Sequence, residues 1–138
     1  MQLGIRFTSG GNPVYAANSF ALNTTHFVVI KYTRVAGADN DTAALFLDPN
    51  PGMVEPAPSA MEVNPTAGHD VANVARFGLR QNANIGVLEL DELRIGATWG
   101  EVTSGGMPPP PDATNIVSVV ATDANASRVG NESWHFYH

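Results

Sequence analysis

The sequence predicts an all-β protein, and three observations carry that prediction. No long stretch repeats apolar residues at the spacing of an amphipathic helix. Asn, Thr, Ala and Gly abound and 10 prolines are scattered along the chain, the texture of short strands and turns. Residues 26–35, His-Phe-Val-Val-Ile-Lys-Tyr-Thr-Arg-Val, are rich in the β-branched and aromatic side chains that suit a pleated sheet.

Taken in order, residues 1–7 and 14–16 are short strand candidates. In the strand at 26–35, Val28, Ile30 and Tyr32 oppose Phe27, Val29 and Lys31. Residues 36–41, Ala-Gly-Ala-Asp-Asn-Asp, form a polar turn in which Gly and Asn tolerate positive φ. The chain returns through residues 42–48, completing a hairpin. Residues 49–68 hold Pro49, Pro51, Pro56, Pro58 and Pro65, which argue for a long loop without a regular ladder. Strands are expected again at 72–80 and 86–98. Residues 104–112 form a Gly/Pro-rich linker containing Pro108, Pro109, Pro110 and Pro111. Residues 113–138 then supply one strand at 115–122 and a polar tail. Residues 1–103 are the expected main β portion.

Composition excludes several function classes. At 138 residues the chain suits one domain. Its 43% apolar content is too high for a disordered chain. No apolar run approaches the roughly 18 residues of a membrane helix, so a soluble chain without membrane insertion is expected. The net charge is −6 and the single lysine is Lys31, which argues against nucleic acid as a partner. The absence of cysteine removes disulfides, thiolate metal sites and thiol nucleophiles. Residues 1–11 lack the apolar core of an export signal.

The run Glu89-Leu90-Asp91-Glu92-Leu93-Arg94-Ile95-Gly96-Ala97-Thr98-Trp99 resembles the closing strand of laminin-G-like, concanavalin A-like jelly rolls. Residues 25–32, 40–49 with Glu55-Pro56, and 77–81 fit the same pattern in the same order. The resemblance covers roughly residues 4–103, the C-terminal half of such a domain. It implies an antiparallel β-sandwich belonging to a larger secreted or cell-surface bacterial protein. Residues 116–127 resemble the opening strand of a Calx-beta module, until Arg128 stands where that family has an acid. A half sandwich would leave edges and an apolar face uncovered, so a homo-oligomer is expected. The ending at 128–138 also admits a fragment truncated from a longer frame.

Candidate site residues divide into three groups. Asp39, Asn40, Asp41 and Asp91 are possible calcium ligands, because calcium takes six to eight oxygens. Asp48 and Asp70 would add oxygens if the fold brought them near. If Leu93 and Ile95 face the core, Asp91 joins them, and a buried carboxylate needs hydrogen bonds or a metal. Otherwise the turn residues cap the hairpin and Asp91 accepts backbone hydrogen bonds.

Glu89 and Asp91 are the candidate catalytic pair, about 6.6 Å apart at Cα on one strand face. The resemblance implies a comparison with laminarinase-type glucanases, which carry Glu-x-Asp-x-Glu; here Leu93 replaces the last carboxylate. Tyr32, Arg80, Gln81, Glu92, Arg94 and Trp99 are candidate ligand-binding residues, with Tyr15 beside them. The aromatic members have a core reading as well. His26, His69, His135 and His138 belong to no recognised catalytic motif. Two functions follow: a non-catalytic module binding glycan or protein, or a small calcium-dependent hydrolase of a glycoside, ester or lactone.

Overall fold

A computed structural model describes residues 2–7, 12–21, 23–52, 54–64, 70–71, 74, 78 and 89–104, together with the backbone of 116–122 and 131–135. The chain is mostly β, as its composition predicts. Its elements are β1 (Gln2–Arg6), β2 (Val14–Tyr15), β3 (His26–Thr33), β4 (Thr42–Leu47), β5 (Ala60–Val63), β6 (Glu89–Gly96), α1 (Trp99–Ser104), β7 (Ile116–Thr122) and β8 (Asn131–His135). A five-stranded sheet runs β5-β4-β3-β7-β6 and a three-stranded sheet runs β2-β1-β8. Every described pairing is antiparallel except β1 with β8. β7, beyond the Gly/Pro-rich stretch, lies between β3 and β6.

The expected hairpin forms. β3 and β4 pair from Val28↔Leu47 to Thr33↔Thr42, and the turn between them uses positive φ at Gly37 and Asp39. Alternation along β3 sends Val28, Ile30 and Tyr32 to one face and Val29 to the other. The first set packs with Leu3 and Ile5 of β1, with Phe7 just beyond it, and with Ala43, Leu45 and Ala60. The two sheets therefore share one core. On the opposite face Val29, Ala44 and Phe46 pack under Trp99 and Val102 of α1. Both faces of β3 are thus buried at its centre, which explains its unbroken run Val28, Val29, Ile30.

Three local expectations differ from the structure. β5 lies inside the segment expected to be loop, because the prolines of that stretch leave 60–63 free and Ala60↔Leu45 can begin a ladder. The strand expected at 86–98 ends at Gly96, and a short helix follows. Thr98-Trp99-Gly100-Glu101 has the spacing of a capping box, and its glutamate half forms: Glu101 Oε2 accepts the Thr98 N–H at 3.1 Å and the Ala97 N–H at 2.8 Å. The strand expected at 72–80 falls largely outside the described residues.

The third difference concerns β6. Its register against β7 passes from Asp91↔Val120 to Arg94↔Ser118, so three steps on β6 meet two on β7. The extra residue is a β-bulge, with Glu92 at φ 52°. A bulge reverses the strand's phase. Through β7, Leu90 and Ile95 fall on the sheet face of Val28 and Ile30, while Asp91 and Arg94 fall on the face of Phe27 and Val29. Asp91 therefore does not enter the core beside Leu93 and Ile95. It is exposed, and Leu93 and Ile95 are themselves half exposed.

Candidate functional site

The Asp39–Asn40–Asp41 turn is the most densely bonded polar region. Asp41 is only 2% exposed. Its Oδ2 accepts the Tyr32 hydroxyl at 2.5 Å and its Oδ1 accepts the Val35 N–H at 2.7 Å. The fold does bring Asp70 to this turn. Its carboxylate accepts the N–H of Asn40 at 3.1 Å, the N–H of Asp41 at 3.2 Å and the Asn64 side-chain amide at 2.7 Å. The Asn64 N–H donates to the Asp41 carbonyl at 2.8 Å, and the Val71 N–H to the Tyr32 hydroxyl at 3.3 Å.

Electrostatics follow from these bonds. Burial pushes the Tyr32 phenol up to about 12, and the carboxylate of Asp41 that accepts its proton adds to the shift. For Asp70 desolvation acts upward. The Asn64 amide and the backbone N–H groups of Asn40, Asp41 and Asp39 outweigh it and hold the carboxyl below the usual carboxylate value.

The carboxylates of this turn are engaged by the protein's own donors. Both oxygens of Asp41 and both of Asp70 already accept protein hydrogen bonds. Asn40 Oδ1 is buried without a hydrogen-bond partner. Among the described residues there is no group of three His, Asp or Glu placed to hold a metal. The network instead fixes the hairpin end by satisfying its buried polar groups.

The residues of β6 form a separate, exposed set. Glu89 and Asp91 share one sheet face ahead of the bulge and are both exposed. Asp91 Oδ1 accepts the Glu92 N–H at 2.8 Å, and Arg94 Nη2 donates to Glu92 Oε2 at 3.0 Å. These contacts shape the bulge itself. Of the aromatic candidates, Tyr32 is 3% and Trp99 8% exposed, whereas Tyr15 is half-buried. Trp99 meets Phe46 edge to face, with ring centroids 4.9 Å apart. Arg80 and Gln81 lie outside the described residues.

A concave site appears at the other end of the hairpin. A groove of about 410 Å³ is lined by Phe46, Leu47, Asp48, Pro49, Asn50, Val54, Pro56, Ala57 and Ser59. One wall is the end of β4, and the other is the proline-rich loop. That loop is pinned at three places. Gly52 N–H donates to Thr103 Oγ1 at 3.2 Å, Glu55 pairs with Lys31 at 2.8 Å, and Ser59 N–H donates to the Leu45 carbonyl at 2.7 Å. Ser59 Oγ also accepts the Leu47 N–H at 3.1 Å.

Asp48 stands at the groove with φ 49°. Its Oδ1 accepts the Phe27 N–H and its Oδ2 meets His26 Nδ1, both at 2.8 Å. Phe20 lies edge-on to the His26 ring with centroids 4.7 Å apart, and His26 Nε2 is buried without a hydrogen-bond partner. The pair has the geometry of an oriented imidazole, but no described nucleophile stands at Nε2. Sequence reasoning named both residues without joining them. The signal was present: extending the hairpin register past Val28↔Leu47 sets residue 27 opposite 48.

No family model matches this chain, and no curated protein or solved structure matches it. No helix among the described residues is long and apolar enough to cross a membrane.

Proposed function

We propose that this chain is a non-catalytic recognition module that takes a protein or glycan ligand in the groove between β4 and the proline-rich loop. Val54 carries the reading: it is 88% exposed, yet the loop presenting it is braced by Gly52, Glu55 and Ser59. A large apolar side chain fixed in solvent at the lip of a concave surface supports a ligand contact. The groove volume of about 410 Å³ lies within the range of ligand-binding clefts.

In this reading the module belongs to a larger extracellular or cell-surface protein of the laminin-G-like, concanavalin A-like kind. That relationship rests on the sequence resemblance of residues 4–103; the two sheets sharing one core support only its two-layer β character. Copies of the module associate with one another, which the half-exposed Leu93 and Ile95 of β6 support; light scattering at micromolar concentration reads it directly. The groove itself is tested by amide-shift mapping while panels of oligosaccharides and mixed peptides are added. Shifts confined to Asp48, Asn50, Val54, Ala57 and Ser59 are expected. Shifts confined to Glu89–Gly96, or none, would overturn the assignment.

A further inference from the structure

We infer that the ligand of this groove is a basic side chain, lysine or arginine, carried on a protein segment. The inference rests on the groove being the recognition site and names what enters it.

Three observations select this class. First, among the described residues the groove has no exposed aromatic platform on which sugars stack. Phe46 lines it but is 1% exposed, and Trp99 and Tyr32 are buried elsewhere. Second, its charge is negative. Asp48 lines the groove with its side chain 49% exposed. The lysine of the neighbouring strand, Lys31, is held at 2.8 Å by both oxygens of Glu55. The chain as a whole carries −6, so its field favours approach of a cation. Third, the remaining lining suits an aliphatic stem. Val54, Pro49, Pro56 and Ala57 offer apolar contact to the methylenes of a long basic side chain while its head reaches Asp48.

Asp48 keeps acceptor capacity for such a head. Each carboxylate oxygen carries two lone pairs, and each accepts one intramolecular hydrogen bond here.

The test uses the whole chain and three probes: a capped Ala-Ala-Lys-Ala-Ala peptide, its Glu counterpart, and a neutral β-glucan hexasaccharide. Amide shifts at Asp48 and Val54 are expected with the lysine peptide, weakening as salt is raised, and not with the glutamate peptide. Asp48→Asn keeps the hydrogen-bond acceptor and tolerates positive φ, so the fold persists. Its affinity for the lysine peptide should fall about two- to fivefold, the scale of a half-exposed ion pair. Equal affinity of Asp48→Asn and the parent would overturn the inference. Groove shifts with the hexasaccharide but not the lysine peptide would overturn it while leaving the recognition reading intact. No groove shifts with any probe, nor with the wider panels, would remove both.

Discussion

Tyr32, Asp41 and Asp70 show how a group of side chains that looks like a site can be consumed by the fold. Removing the Tyr32 hydroxyl would leave Asp41 Oδ2 buried without that donor, at 2% residue exposure. Leaving a buried acceptor unmade costs about 1–3 kcal/mol. Tyr32→Phe is therefore expected to lower stability by that amount in urea unfolding; a change within about 0.5 kcal/mol, the scale of an ordinary surface substitution, would show that the bond contributes little. Asp70 makes a prediction in pH. Its folded carboxyl lies below the ordinary value of 3.8, so the native state binds its proton less tightly than the unfolded chain. Its stabilising contribution is complete above the ordinary carboxylate value and is lost as pH falls through the lower, folded one. Asp70→Asn should reduce stability at neutral pH and flatten the acid limb of a stability–pH curve. Parallel curves for variant and parent would refute that assignment.

At the level of elements, the structure separates what periodicity can reveal from what it cannot. The β3–β4 hairpin was legible because a β-branched run, a Gly/Asn turn and an apolar return all agree locally. The β6 face was not, since reading Asp91, Leu93 and Ile95 as one side assumes an unbroken two-residue period. The bulge at Glu92 breaks it, and no residue type there announces a left-handed φ. Glutamate tolerates that φ at a cost that a β-branched residue would increase sharply. Glu92→Val should thus lower stability by more than about 1 kcal/mol while Glu92→Gly does not; equal effects of the two would mean the bulge relocates. The helix α1 was legible in principle from Thr98-x-x-Glu101, but six residues give no periodicity to see. That helix packs close to β6: a Cβ at Gly96 would stand 2.9 Å from Glu101 Oε2 and 3.1 Å from Val102 Cγ1. Glu101→Ala removes the acceptor of two backbone N–H groups. A loss of about 0.5–2 kcal/mol is expected, with faster amide exchange at 99–104. Unchanged exchange there would show that packing of Trp99 and Val102 alone holds the helix. The groove, by contrast, was invisible locally. It depends on Gly52, Glu55 and Ser59 finding partners 12 to 51 residues away, and no short window of sequence encodes that.

Across the whole molecule the two sheets are joined by their apolar core and by one charged brace at its rim. β5 ends the five-stranded order, and its third residue, Glu62, reaches the end of β1, where Oε2 accepts the N–H of Phe7, just past that strand, at 2.8 Å. A charge directed inward from a short edge strand discourages strand addition by another chain, while Met61 and Val63 on its other face remain half exposed. The brace has an energetic signature opposite to that of Asp70. Desolvation raises the Glu62 carboxyl above its ordinary 4.5, and the Phe7 N–H and the nearby Arg6 only partly offset this. The native state therefore binds this proton more tightly than the unfolded chain. Its contribution is most favourable below the ordinary glutamate value and declines as pH rises through the higher, folded one. At neutral pH the carboxylate holds the sheets together while carrying a desolvation cost. Glu62→Gln keeps an oxygen for the Phe7 N–H and removes the charge, so it should be at least as stable as the parent at pH 7. The variant should also lose the decline in stability across the weakly acidic range. Urea unfolding of both proteins across that range measures this, and a Glu62→Gln chain that is less stable at pH 7 would mean that the ionised form, through Arg6, stabilises more than its desolvation costs.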